Sequence, residues 1–243
     1  MKIIAHRGSS FVAPENTLAA IRLAMEEKAD GVEFDVHKTR DGKVAVIHDD
    51  NTFRTTGMKA AVCDVSMEEL RLLDAGCWKG REWRCETVPV LSEVLGILPE
   101  SMPAFIEIKC GPEILPALAE VMPPVGARVL FAGFSLETMA LTKKQFPNCK
   151  VLWNLEPLKN DAGRWQPAVV SEMIARARSA GIDGIGLGFG EAINGELVKI
   201  IHEAGLKLFV WTVDDVEPAK KLRSLGVDYL ATNRPGWLRE NMG

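Results

Sequence analysis

Short apolar runs alternate with longer amphipathic stretches along the whole of this 243-residue chain. The runs are rich in β-branched residues, which favours strands, and they span 2–6, 31–39, 43–49, 104–109, 128–134, 150–155, 184–189, 208–213 and 229–232. The amphipathic stretches predict helices, and they span 16–29, 136–146, 169–180, 194–204 and 216–225. Gly181, Gly205 and Gly226 each follow a helical pattern, at the position where a left-handed C-cap favours glycine.

The alternation of strands and helices is typical of a parallel sheet with helical crossovers. The nine predicted strands are one more than an eight-stranded barrel uses. Asp41-Gly42 lies between the strands 31–39 and 43–49 and predicts a tight hairpin, so the second of these strands is a return arm and not a barrel strand. We therefore expect an α/β fold, a (β/α)8 TIM barrel, with a doubly wound open sheet as the alternative.

The stretch 51–90 interrupts this rhythm because it is rich in Thr, Arg, Cys and Trp and contains no strong strand pattern. Its one amphipathic piece, 66–76, begins with a capping box formed by Ser66 and Glu69. We interpret 51–90 as a short insertion on the barrel, after the hairpin of the second strand, and the chain 1–243 as a single domain.

Composition and charge argue against some classes of partner and indicate the compartment of the protein. A net charge of −4 and a pI near 5.7 argue against nucleic acid as a partner. No apolar run reaches the roughly 18 residues that a membrane span needs. The five cysteines are scattered and form no CxxC pair, and the chain begins without the pattern of a signal peptide. We expect a reduced, cytoplasmic protein, and the oligomeric state stays open.

Acidic residues inside apolar strands are the first chemical signal. Glu33 and Asp35 are two residues apart and face the same side of their strand, and Glu107 and Lys109 repeat this spacing in a later strand. Converging carboxylates raise each other's pKa unless a cation lies among them. Oxygen ligands suit Mg²⁺ or Ca²⁺ better than zinc. The alternative is that each acid is separately ion-paired, with Lys109 or Arg7 as its partner.

The histidines His6 and His48 are the second signal, because each ends a predicted strand. Active sites of barrel enzymes lie at the carboxyl ends of the strands. If Asp41-Gly42 are the two residues of the turn, His48 lies opposite Asp35 on the same face of the hairpin. A different turn length would move His48 to the other face. Trp211 also ends a strand, where it is either a packing residue or part of a pocket wall.

Eight short motifs follow one another from residue 5 to residue 235: AHRG, PENT, VEFDVHKTRDGKVAVIHD, RTTG, VPVLSEVL, IEIK, FVWTVD and TNRP. In this order they resemble the motif series of the glycerophosphodiester phosphodiesterase family. The resemblance implies a TIM barrel with a small insertion. It also implies hydrolysis of a small-molecule glycerophosphodiester to glycerol 3-phosphate and an alcohol, with one divalent cation, Mg²⁺ or Ca²⁺, as the cofactor.

The resemblance also implies roles for individual residues. His6 and His48 would be the acid–base pair, Glu33, Asp35 and Glu107 the metal ligands, Arg7 and Lys109 the phosphate contacts, and Trp211 a wall of the pocket. Glu15 and Asn16 of PENT precede the first predicted helix, so a role in starting that helix is an alternative for them.

Other functions stay open on the sequence alone. A lysophospholipase D-like or cyclising phosphodiesterase would use the same barrel, and a non-catalytic binder of a phosphate ligand is a further alternative. The nucleophile is either water or a neighbouring glycerol hydroxyl that closes a cyclic phosphate. The preferred alcohol and the choice of metal also stay open.

Overall fold

The computed structural model describes residues 1–122, 128–156 and 166–243, and within these ranges the chain forms nine strands and ten α-helices. The strands are β1 (Lys2–His6), β2 (Gly31–Lys38), β3 (Val44–Val46), β4 (Ala104–Ile108), β5 (Val129–Gly133), β6 (Lys150–Leu155), β7 (Gly184–Gly188), β8 (Lys207–Trp211) and β9 (Tyr229–Thr232). The helices are α1 (Leu18–Glu26), α2 (Phe53–Thr56), α3 (Met67–Arg71), α4 (Leu91–Ile97), α5 (Leu115–Val121), α6 (Leu136–Gln145), α7 (Pro167–Ser179), α8 (Gly195–Glu203), α9 (Val216–Ser224) and α10 (Pro235–Asn241).

Eight of the strands in the described ranges close into a parallel barrel. Their order is β1, β2, β4, β5, β6, β7, β8 and β9, and β9 pairs with β1 again. The predicted TIM barrel is confirmed, and the open sheet is wrong. Gly181, Gly205 and Gly226 follow α7, α8 and α9 with positive φ angles of 70°, 79° and 87°, as the C-cap prediction requires.

The core lies in two layers on either side of the barrel wall. The larger layer packs the outward-facing side chains of the strands against the surrounding helices, and Phe34, Ile106 and Phe131 are fully buried there. The smaller layer fills the inside of the barrel, where the rings of Phe105 and Phe209 lie 5.6 Å apart. These inner side chains fill the barrel interior, so the space that a ligand can enter lies at the strand ends.

The strand β3 is antiparallel to β2 and forms the return arm of a hairpin, as predicted. The two-residue turn was wrong, however, because Lys38 pairs with Val44 and the loop is three residues long, 40–42. Gly42 has a φ angle of 77°, and Lys43 N–H donates to the Thr39 side chain, the pattern of a turn followed by a left-handed bulge residue. The predicted two-residue turn would place His48 opposite Asp35. The observed register of the hairpin differs from that register by one residue.

The segment 51–90 holds α2, α3 and two short 3₁₀ turns, Val62–Asp64 and Arg81–Trp83. The predicted capping box at Ser66 and Glu69 is present at the start of α3. An apolar cluster, which includes Val62 and Leu70, packs this segment against β3. None of the helices in the described ranges combines the length and apolarity that crossing a membrane needs.

Candidate active site

Three carboxylates meet at the carboxyl end of the barrel. Glu33 and Asp35 project from β2, and the sheet register pairs Asp35 with Glu107 on β4. One oxygen from each of the three acids lies within 4.8 Å of the others. Glu33 and Asp35 are only 2% and 1% exposed. Glu33 and Asp35 lie two residues apart on β2, and Glu107 lies on the neighbouring strand β4. The parallel register of the two strands thus brings the three acids together.

The electrostatics of this acidic triad fit a bound cation. Burial, followed by the charges of Asp35 and Glu107, raises the pKa of Glu33 well above its ordinary value. Burial and Asp35 likewise raise the pKa of Glu107. The buried Oε1 atom of Glu33 has no hydrogen-bond partner among the described residues. A divalent cation bound by these oxygens would pair that atom and remove the repulsion, and oxygen ligands of this kind suit Mg²⁺ or Ca²⁺.

Arg7 lies beside the triad because the chain turns sharply after β1. Its φ angle is 57°, and its backbone N–H donates to Glu33 Oε2 at 2.9 Å. The guanidinium lies with Nε 3.3 Å from Asp35 Oδ2 and with Nη1 2.8 Å from Glu15 Oε1. The next residue, Gly8, has a φ angle of 80°, and a Cβ atom there would lie 2.6 Å from the backbone of Ala20.

Lys109 lies on the other side of the triad, directly after β4. Its ammonium donates to Glu107 Oε1 at 2.9 Å and lies 3.8 Å from Asp35 Oδ1. Burial opposes the charge on Lys109, but Glu107 and Asp35 outweigh it and raise the pKa of the amine. Both cations therefore stay charged at neutral pH and flank the acids, where an anionic group could bind between them.

His48 is held between a cation and a carboxylate. Lys109 Nζ lies 3.1 Å from His48 Nε2, and His48 Nδ1 lies 2.7 Å from Asp49 Oδ1. Because an ammonium can only donate, Nε2 accepts and Nδ1–H donates to Asp49. The expectation that another turn length puts His48 on the other face of the hairpin does not apply, because β3 ends at Val46, before His48.

His6 is held by an amide on the opposite side of the site. Its Nδ1 lies 2.8 Å from Asn233 Oδ1, and its Nε2 lies 4.0 Å from Glu33 Oε2. The amide nitrogen of Asn233 donates to Asp214 Oδ2, so the amide oxygen faces His6 and accepts from Nδ1–H. Burial, and then the charge of Arg7, lowers the pKa of His6 to about 4. His6 is therefore neutral at pH 7, with the lone pair of Nε2 free.

Trp211 forms an aromatic wall with Phe134, a residue for which the sequence predicted no role. The two rings pack edge to face with centroids 5.7 Å apart, and Lys109 Nζ lies 5.5 Å from the Phe134 ring. Phe134 is 40% exposed, and in the described structure the buried Trp211 Nε1 atom finds no partner. The wall places an apolar surface next to the charged groups.

Several polar residues around the site were not among the predicted site residues. Asn16 Nδ2 donates to Asp35 Oδ2 at 2.8 Å, and Asn154 Nδ2 donates to Glu107 Oε2 at 3.2 Å. Thr17 caps α1, so the PENT motif both starts the helix and supplies Glu15 and Asn16 to the site. The quoted motifs already contained Glu15, Asn16, Asp49, Asp214 and Asn233, whereas Asn154 lies outside them.

The eight predicted site residues thus lie together at one end of the barrel. Comparison with known proteins identifies the family to which this arrangement belongs. Residues 6–237 match the model of the glycerophosphoryl diester phosphodiesterase family.

A glycerophosphodiester phosphodiesterase of Caldanaerobacter subterraneus is 35% identical over 240 residues, which cover 96% of this chain and 94% of that protein. A second, from Bacillus altitudinis, is 32% identical over 242 residues, with 96% of this chain and 95% of the relative covered. The solved structure of an Oleispira antarctica phosphodiesterase in complex with the product sn-glycerol-3-phosphate is 30% identical. It superposes with a TM-score of 0.86 over 99% of this chain and 96% of the other. The match to the family model over nearly the whole chain, together with these relatives, shows that this chain belongs to the glycerophosphoryl diester phosphodiesterase family and is a phosphodiester hydrolase.

Proposed function

We propose that the enzyme hydrolyses glycerophosphodiesters to glycerol 3-phosphate and an alcohol, with a divalent cation held by Glu33, Asp35 and Glu107. The observation that carries this proposal is the buried acidic triad flanked by two fixed cations and two histidines. The relative from Oleispira antarctica, whose structure contains sn-glycerol-3-phosphate, supports the choice of product.

The phosphodiester anion binds where Arg7 and Lys109 converge. Arg7 can donate to phosphate oxygens in a forked geometry, and Lys109 acts as a point charge. A cation at the triad supplies further positive charge for the phosphoryl oxygens when it is bound. Charge grows on these oxygens in the transition state, so donors that are already fixed by Glu15 and Glu107 lower the barrier without reorganising.

The two histidines divide the proton transfers. His6 is neutral and directs the free Nε2 lone pair toward the triad, so it removes the proton of the nucleophile. His48 donates Nδ1–H to Asp49, and in the free enzyme its Nε2 accepts from Lys109. When Lys109 turns to the bound phosphate, Nε2 takes up a proton from solvent. Asp49 stabilises the imidazolium that forms, and this imidazolium protonates the leaving oxygen from Nε2. Each of these steps contributes a factor of about 10² to 10⁴ in rate.

A coupled assay of glycerol 3-phosphate release tests the reaction. Several glycerophosphodiesters are compared with and without a chelator, and then in the His6→Ala and His48→Ala variants. We expect activity to disappear with the chelator, to return with Mg²⁺ or Ca²⁺, and to fall by about 10² or more in each variant. The matched control is His202→Ala, because His202 lies on α8 and is bonded to Asp228 at the surface.

Activity that survives complete removal of metal would contradict the role of the triad, and release of a phosphorylated alcohol with free glycerol would contradict the product. Phosphorus NMR on a substrate that lacks the neighbouring glycerol hydroxyl separates the two nucleophiles, because only the water route survives on it. The cytoplasmic location and the single-domain organisation stay predictions from the sequence.

A further inference from the structure

Arg54 is the arginine of the RTTG motif, and the proposed reaction gives it no role. It lies on α2, within the segment 51–90, and its guanidinium makes four hydrogen bonds to described residues. Nε and Nη2 donate to the two oxygens of Asp49 at 2.7 and 3.0 Å. Nη1 and Nη2 donate to the two oxygens of Glu15 at 2.7 and 2.8 Å. A single planar group thus clamps two carboxylates, each in a paired, bidentate manner.

Each of these carboxylates holds one residue of the proposed reaction. Asp49 accepts from His48 at 2.7 Å, and Glu15 accepts from Arg7 at 2.8 Å. His48 and Arg7 lie on different parts of the fold, one beyond the hairpin arm β3 and the other after β1. Arg54 is the side chain that joins these two parts, through Asp49 on one side and Glu15 on the other.

The contact between Arg54 and Asp49 argues for positioning rather than for stability. Arg54 is 42% exposed and Asp49 is 25% exposed, and exposed ion pairs add little to the stability of a fold. The contact with Glu15, which is only 11% exposed, also stabilises the fold. A lysine could not replace the clamp, because an ammonium has no rigid fork to span two carboxylates. Without Arg54, Asp49 is free to turn toward solvent, and His48 then loses the fixed acceptor that orients its ring.

We propose that Arg54 is a positioning residue that holds His48 and Arg7 in register across the mouth of the barrel. The guanidinium N–H groups of Arg54 donate to Asp49 and Glu15. Arg54 therefore acts through these two carboxylates and not on the substrate itself. The inference rests on the proposed function, in which His48 protonates the leaving oxygen.

The test compares two leaving groups in the Arg54→Gln and Arg54→Ala variants. An alkyl ester of glycerol 3-phosphate needs a proton on its leaving oxygen, whereas p-nitrophenolate leaves without one. We expect kcat to fall by about 10²-fold on the alkyl ester, the cost of a misplaced catalytic group. The loss on the p-nitrophenyl ester is expected to stay within about tenfold. The acid step that contributes about 10² to 10⁴ is not needed there, and Arg7 keeps Asp35 as a partner and so is displaced less than His48. Methylguanidinium in solution should restore part of the alkyl-ester activity of Arg54→Ala, and methylammonium should not.

The matched control is Arg71→Ala, because Arg71 belongs to the same segment and donates to Glu93 on the surface. This variant should keep the activity of the unchanged enzyme on both esters. Circular dichroism and thermal unfolding check that the Arg54 variants are folded. Equal losses on the two esters in folded protein would overturn the proposal, and so would no loss on either.

An NMR measurement keeps this inference separate from the proposed function. The His48 Nδ1–H proton is bonded to Asp49, so we expect it to exchange slowly enough to give a resolved signal in labelled protein. We expect this signal to broaden or disappear in Arg54→Gln, and an unchanged signal would overturn the positioning role. If His48→Ala shows no preference for the activated ester, the acid role of His48 fails, and the NMR result still decides whether Arg54 positions the ring.

Discussion

Replacing Glu33 by glutamine should stabilise the metal-free enzyme and strongly reduce its stabilisation by metal. In the metal-free protein, Glu33 Oε2 accepts from the Arg7 backbone, but the buried Oε1 faces the other acids without a hydrogen-bond partner in the described structure. A glutamine keeps the first hydrogen bond through its carbonyl oxygen. Its amide NH₂ then takes the position of Oε1 and can donate toward Asp35 or Glu107.

The magnitude follows from the unpaired acceptor and the burial of charge. Leaving a buried acceptor unpaired costs about 1–3 kcal/mol, so the free energy of unfolding should rise by this amount. For a protein of this size, 1 kcal/mol moves Tm by about 2–4 °C. We therefore expect the Tm of metal-free Glu33→Gln to exceed that of the unchanged protein by about 2–12 °C at pH 7.

The dependence on pH has a definite sign. The folded-state pKa of Glu33 lies above the ordinary value of 4.5, so the folded protein binds this proton more tightly than the unfolded chain. The destabilisation by Glu33 is therefore absent below pH 4.5 and grows as the pH rises through the folded-state pKa. The gain from Glu33→Gln should follow the same course, small below pH 4.5 and largest above the folded-state pKa of Glu33.

The assay is calorimetry or dye-monitored unfolding of chelator-treated protein, followed by titration with Mg²⁺ or Ca²⁺. At one hundred times its Kd, a cation should stabilise the unchanged protein by about 2.7 kcal/mol. Glu33→Gln should gain far less. Glu203→Gln is the control, because Glu203 is an exposed acid of α8 that lies 3.7 Å from Lys199. A lower Tm for metal-free Glu33→Gln, or an undiminished metal response, would refute the reasoning.

Three further outcomes are expected. Burial alone would raise the pKa of Glu15, but hydrogen bonds from two arginines hold it at about 2. Glu15→Gln should therefore lose up to about 3 kcal/mol in urea unfolding at pH 7, and this contribution should fade as the pH falls from 4.5 toward 2. Gly8→Ala should destabilise by more than about 2 kcal/mol in the same assay, because the new Cβ would lie 2.6 Å from the Ala20 backbone at a left-handed φ angle. Asn233→Ala should lower kcat by about tenfold or more with little change in KM, because His6 loses the acceptor that fixes its tautomer.

Hydrophobic periodicity was sufficient to predict the barrel. Each long strand and each long helix carries enough apolar positions to reveal its period, and the C-cap glycines mark where three helices end. The helices α2, α4, α5 and α10 were not predicted, because each spans at most seven residues. The equally short α3 was predicted through its capping box. Two of them also contain a proline at the start, which a pattern search takes for a break.

The charged residues of the site were predictable for a different reason from the residues that hold them. Glu33, Asp35 and Glu107 stand out because a carboxylate is out of place in an apolar strand. Asp49 and Asn233 lie just beyond strands, where polar residues are common, and no periodicity distinguishes them from a solvated loop. Their partners appear only when the fold brings together positions such as Asn233 and His6, which are 227 residues apart.

The hairpin shows why His48 needs support that the acidic triad does not. Alternation of side chains holds only while a strand is paired, and the pairing of β3 ends at Val46. Glu33 and Glu107 are fixed by the hydrogen-bonded ladder of the barrel, whereas His48 lies in the connection that follows and owes its position to side-chain bonds. A side chain in such a connection stays aligned only if the group that accepts its hydrogen bond is itself held. In this fold the helix α2 holds Asp49 through Arg54, so in the proposed mechanism the short segment after the hairpin contributes to the geometry of the site.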